Sequence, residues 1–248
     1  MIRQFRARAT LVACGVFALL SGCAAPRPEH DAATQAADDD AWQSEFHVDS
    51  SDWVSHGSNG YFVLEPGYRM VLAREGAREK LLTITVLDQT QTIDGVQTRV
   101  VEERETVAGV PREISRNYYA MSSRTNDVYY FGEDVDIYKD GQIAAHEGGW
   151  RAGVDGARFG LAMPGTIRVG SRAYQEHAPG TAMDRFEITA TEQSIDTPAG
   201  RLEHCLQIGE TTPLEPGGAE FKLYAPGIGL VQDEDLLLVS YGYAPAPS

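Results

Sequence analysis

Between Tyr61 and Tyr243 the chain is written almost entirely in a period of two, and nearly every junction carries Gly, Pro or Asp. In residues 80–89, Leu82, Ile84 and Val86 fall on one face and Thr83, Thr85 and Leu87 on the other, the alternation of a strand with one buried side. Asp94-Gly95 separates 90–93 from 96–107, and such a pair favours the two-residue turn of a hairpin. Further strands are predicted over 113–121, 127–131, 135–138, 142–146, 171–178, 183–194, 202–208, 221–224 and 230–241, with Asp140-Gly141 as another turn. No amphipathic helix of three turns is predicted outside the N-terminal segment. The expected fold is all-β: an antiparallel curved sheet, an open barrel or a sandwich.

A glycine-rich stretch, 148–170, breaks this rhythm with seven glycines and Pro164. It predicts either a long functional loop or a boundary between two sub-sheets. The simpler reading is a connection that needs unusual backbone angles.

The N-terminus sets an address. Arg3, Arg6 and Arg8 precede an apolar run at 11–20, and Leu20-Ser21-Gly22-Cys23 follows. A basic start, a short apolar core and small residues at the cleavage point make a secretory signal. Ten apolar residues span about 15 Å as a helix, half of a roughly 30 Å hydrocarbon core. The closing Leu-Ser-Gly-Cys resembles a bacterial lipobox. That resemblance implies cleavage after Gly22 and lipid on Cys23, and Ala24 behind it implies the outer membrane, facing the periplasm. Residues 1–22 are then a signal peptide and 23–52 a disordered tether, rich in Ala, Pro, Asp and Ser. The all-β domain is expected from 53 to 248, with Trp53 docking where it starts. Of three cysteines only Cys205 would stay free, so no internal disulfide is expected.

Removing the three signal arginines leaves 18 basic against 36 acidic side chains, a net charge of −18. Nucleic-acid binding needs clustered basic charge, and anionic lipid head groups attract basic patches; both are disfavoured.

Thr197-Pro198-Ala199-Gly200 leads to Cys205, and 221–231 reads Phe-Lys-Leu-Tyr-Ala-Pro-Gly-Ile-Gly-Leu-Val. This arrangement is similar to one in bacterial envelope proteins with curved antiparallel sheets, the TapB-like group. Residues 61–231, with Tyr-Phe-Gly-Glu-Asp-Val-Asp-Ile-Tyr-Lys-Asp-Gly at 130–141, also resemble a set of bacterial lipoproteins of unknown function. The resemblance implies a β fold, an envelope location and no catalytic residues. Read on its own, Ala-Pro-Gly-Ile-Gly-Leu-Val is a hairpin device. Pro226 cannot donate to a ladder, and Gly227 and Gly229 permit a reversal or bulge.

Few residues point to chemistry. Asp134 and Asp136 are weak candidate calcium ligands, because Tyr138 stands where the next acid would belong. His146-Glu147 lacks the second histidine of a zincin helix. Cys205 and His204 are adjacent and would face opposite ways on a strand. No metal, cofactor or catalytic residue is therefore assigned.

The aromatic pairs are more informative. Tyr118, Tyr119, Tyr129, Tyr130 and Phe131 place rings on both faces of two strands. Tyr119 and Tyr130 are expected to face outward, as a platform for an apolar, glycan or protein ligand. The expected role is a non-enzymatic binding or assembly module of the cell envelope that uses a concave sheet face. The alternative is an envelope hydrolase or a metal-dependent enzyme.

Overall fold

The computed structural model describes residues 42–74, 80–215 and 217–243. The signal segment, Cys23 and the stretch up to residue 41 lie outside the described residues. The strands are β1 (Trp53–Val54), β2 (Tyr68–Arg74), β3 (Lys80–Ile93), β4 (Val96–Val107), β5 (Val110–Ser122), β6 (Val128–Lys139), β7 (Gln142–His146), β8 (Trp150–Arg151), β9 (Arg158–Met163), β10 (Arg172–Tyr174), β11 (Glu176–His177), β12 (Arg185–Thr197), β13 (Gly200–Thr211), β14 (Glu220–Ala225), β15 (Gly229–Asp233) and β16 (Leu236–Tyr243). The fold is all-β and antiparallel, as the alternation predicts.

Two meanders build the sheet, β2 to β6 and β12 to β16, and β16 pairs with β2 to join them. The sheet then curls until its ends meet. β10 pairs with β12 at one end, β11 pairs with β9 at the other, and only Gln175 separates β10 from β11. The result is a nearly closed barrel with its seam at Tyr174, Gln175 and Glu176. Gly160 on β9 is needed there, because a Cβ would stand 2.3 Å from the Gln175 carbonyl oxygen. The stretch 148–170 divides no sub-sheets. It supplies β8 and β9 and brings the chain to the seam.

The predicted hairpins form for the predicted reason. Asp94 and Gly95 have φ of 48° and 77°, and Asp140 and Gly141 have 53° and 79°, so both central residues of each turn are left-handed. Ala108-Gly109 turns the same way, at 52° and 75°.

The domain begins earlier than residue 53. Trp42 is buried, with Arg185 4.5 Å and Arg172 5.4 Å from its ring, and Gln43 bridges to Ala173. Phe46 lies edge-on to Tyr129 at 5.6 Å. Residues 42–52 are thus part of the packed domain rather than of a tether, because their apolar side chains find a cover site on the outer sheet face. Trp42→Ala should cost about 3–5 kcal/mol, the usual range for a buried tryptophan. A chain started at Ser51 should therefore melt roughly 10 °C lower. Equal melting temperatures would show that the segment contributes nothing.

Candidate functional site

Strand register fixes which side chains face the barrel interior. Ile84 pairs with Glu103, Glu103 with Ser115, Val101 with Asn117 and Asn117 with Glu133, so two neighbouring rows cross β3 to β6 on the inner face. On the opposite wall Ile208 pairs with Lys222, Lys222 with Asp233, and Phe186 with Glu210. Apolar residues and charged residues therefore share one alternation, and the charged ones collect in the interior.

A bulge in β6 is essential to this arrangement. Between Asn117 and Tyr119 the partner strand advances from Glu133 to Tyr130, one residue more than regular pairing allows. Gly132 takes φ 138° there, and a Cβ on it would meet the Trp150 carbonyl oxygen at 2.3 Å. The shift puts Tyr130 and Glu133 on the same, inner face and sends Phe131 outward.

The five aromatic residues accordingly make no external platform. Tyr119 and Tyr130, expected outward, are 1% and 0% exposed and stack inside the barrel with ring centroids 4.8 Å apart. Tyr130 donates to Asn117 Oδ1 at 2.6 Å, and Trp150 stands edge-on to its ring at 5.3 Å. Tyr129 and Phe131 face out but are buried beneath Trp53, Phe46 and Phe159. Tyr118 is also buried, covered by Arg151 at 4.3 Å from its ring, and it donates to Asp134 Oδ2 at 2.7 Å.

Asp134 and Asp136 lie on the outer face, occupied by side chains of the chain itself. Arg151 holds Asp134 at 2.7 Å. Arg116 holds Asp136 at 3.3 Å, and His146 Nδ1 lies 2.7 Å from it. Burial acts to raise the Asp134 carboxyl, but hydrogen bonds from Tyr118 and Arg151 outweigh it and the pKa is lowered. Among the described residues no group of three His, Cys, Asp or Glu side chains is placed to hold a metal ion. These two aspartates instead line an open groove of about 790 Å³. Trp150, which also lines this groove, reaches the interior behind it.

The sequence reading missed the interior carboxylates. Glu133, Glu176, Asp184, Glu210 and Asp233 are buried, and Glu103 faces in with Oε1 shielded from solvent. Lys222 answers one of them directly, with Nζ 2.6 Å from Glu210 Oε2; the two side chains are 1% and 2% exposed. Gln175 also donates to Glu210, at 3.1 Å. Elsewhere acceptors outnumber donors. Both oxygens of Glu176, Oε1 of Glu103, Oδ1 of Asp233 and Oε1 of Gln175 are buried without a hydrogen-bond partner. The Trp150 indole N–H lies near enough to Glu176 to lower its pKa, yet not in hydrogen-bond geometry.

Burial dominates the electrostatics. It raises the pKa of Glu103, Glu133 and Glu176, and neighbouring carboxylates add to the rise at Glu133 and Glu176. Asp184 is pushed up to about 7 by burial and by Glu210, against a hydrogen bond from Thr212.

Cys205 is fully buried, while its neighbour His204 is exposed. Burial raises the thiol pKa, so native Cys205 should label slowly at neutral pH. Cys205→Ala should cost only about 1–2 kcal/mol in lost packing. Rapid stoichiometric labelling would contradict that placement.

No family model matches the chain, and no curated protein matches it. A solved structure of a candidate lipoprotein from Parabacteroides distasonis ATCC 8503 is similar at 13% identity and a TM-score of 0.37, covering 75% of this chain and 100% of that one.

Proposed function

We propose that this chain is a lipid-anchored protein of the bacterial cell envelope, in the manner of the TapB-like group, and that its β-domain is a non-enzymatic binding module. The ligand enters the concave interior of the barrel, rather than resting on an outer aromatic face. Glu176 carries this reading: it is 0% exposed, it sits at the closing seam, and neither carboxylate oxygen has a partner. A buried unpaired carboxylate costs several kcal/mol, and an apolar side chain of similar size would serve packing better. A ligand that meets those oxygens explains why they are there.

Asp184 favours a second reading. A carboxyl with a pKa near 7 suits a general acid, and would support an envelope hydrolase. The binding reading accounts for more of the interior, because the unpartnered acceptors extend over β4, β11 and β15.

Two experiments test the proposal. Cys23→Ser should move the protein from the salt-washed membrane fraction to the soluble one; retention on the membrane would overturn the anchor. Melting curves with three matched four-carbon probes, 1,4-diaminobutane, 1,4-butanediol and succinate, should show a saturable rise with one of them that Glu176→Gln removes. No rise with any of the three would overturn interior binding.

A further inference from the structure

Resting on the interior-binding reading, we infer that the barrel interior recognises an organic cation, an aliphatic ammonium or guanidinium group, between the Tyr119–Tyr130 stack and the acceptor oxygens of Glu176, Glu103 and Asp233. Once the carboxyls are ionised, every unpartnered side-chain oxygen in the interior is an acceptor, and the indole N–H of Trp150 is an unpartnered donor beside them. Glu176 offers two, and Glu103, Asp233 and Gln175 one each. A ligand that completes them must bring donors. An ammonium carries three N–H bonds and a guanidinium five, and a charge-assisted bond to a carboxylate is stronger than a neutral one.

A bare metal ion answers this geometry poorly, since no three such side chains among the described residues converge on a point. An extended cation with donors spaced along it can meet acceptors that lie on different strands. Tyr119 and Tyr130 lie close enough to Glu103, Glu133 and Glu176 for those carboxylates to act on their hydroxyls, so the two hydroxyls stand beside the same negative charge. An anion would meet the same carboxylates and be repelled. An alkyl ligand would leave their oxygens unanswered.

The groove of about 790 Å³ adjoins the interior at Trp150, which lines the groove and whose ring also packs on Tyr130. Asp134, Asp136 and Asp155 line it, with Arg116 and Arg151 as internal counterions.

Binding should strengthen with pH, because a protonated carboxyl offers no charge. The groups facing the site are Glu103 from β4, Glu113 and Tyr119 from β5, Tyr130 and Glu133 from β6, and Glu176 from β11. From the far wall come Asp184, Glu210, Lys222, Tyr224 and Asp233. Lys80 from β3, Glu105 from β4 and Glu220 from β14 share this face; the two lysines are each held by a glutamate, Lys80 by Glu105 and Lys222 by Glu210.

The test is calorimetric titration of the full-length protein in detergent with 1,4-diaminobutane, at constant ionic strength. Saturable binding is expected, at least tenfold tighter at pH 8 than at pH 5 and at least tenfold weaker in Glu176→Gln and in Asp233→Asn. Far-UV circular dichroism shows that each variant is folded, and each neutral isostere stands in if the other is not. Binding of butanediol or succinate without the diamine would overturn the cationic specificity and leave interior binding standing. Binding of none of the three would overturn both. Diamine heats matched by sodium chloride, or unchanged in the variants, would mean surface charge alone and would also overturn the inference.

Discussion

Raising the pH from 5 to 8 is expected to lower the melting temperature of the ligand-free domain by about 10 °C, the shift that on the order of 4 kcal/mol produces in a domain of this size. Asp184 sets the scale. Its carboxyl has an ordinary pKa of 3.8 and is pushed up to about 7 in the fold, by burial first and Glu210 second. The folded state therefore holds this proton more tightly than the unfolded state does. The associated stability is complete below pH 3.8 and is lost as the pH rises through 7, amounting to about 1.4 kcal/mol for each unit of difference. Glu103, Glu133 and Glu176 are raised too and act in the same direction. His204, raised by Glu192, also favours the lower pH. Asp134, which is lowered, loses its contribution only below this window. Asp184→Asn should make the curve shallower by the share of that one carboxyl, since the amide is neutral at every pH while the raised glutamates, Glu220 at about 7 among them, still titrate. A domain whose stability rises steadily from pH 5 to pH 8 would contradict the interior electrostatics.

Lys222→Met is expected to destabilise the domain by about 3–5 kcal/mol, the range for removing one partner of a buried ion pair. Lys222 and Glu210 sit 2.6 Å apart with almost no exposed surface. Taking away the ammonium leaves Glu210 with the Gln175 amide and no direct counterion. It also removes a basic group that acts on Asp184 and Asp233. The methionine fills the space, so the loss measures charge rather than volume. Lys222→Met combined with Glu210→Gln should regain most of the stability, because an uncharged side chain no longer needs a cation. Urea unfolding of the two variants reads the difference directly. Equal destabilisation by the single and double substitutions would show that packing, not the ion pair, is responsible.

The elements were legible in the sequence wherever their cause is local. Asp94-Gly95 and Asp140-Gly141 declare their turns because both residues tolerate positive φ, and Leu82, Ile84 and Val86 declare a buried face by alternating with polar neighbours. The site was not legible, because it depends on register. Nothing near Glu133 in the chain says that it shares a face with Tyr130 three residues away; that follows from the bulge at Gly132 and the partner strand. Glu176 is buried only because β10 and β11 bring the two ends of the sheet together. One signal could have been followed further. In β13 the inward series Leu206, Ile208, Glu210 runs from apolar to acidic without losing its period, and Lys222 and Tyr224 do the same in β14. An alternation that continues through charged residues marks a polar interior. Trp42 and Phe46 were hidden for the opposite reason, as isolated aromatics in a stretch whose composition is otherwise that of a tether.

A carbon-13 carboxyl NMR titration of the ligand-free full-length protein tests the central claim most directly, because it reads each interior carboxylate at its own atoms. The account predicts that Asp184 titrates near 7 and Glu176 well above the ordinary glutamate value, and that both midpoints fall when 1,4-diaminobutane is added. Interior carboxyls that titrate together with the exposed ones at about 4, with and without the diamine, would contradict it.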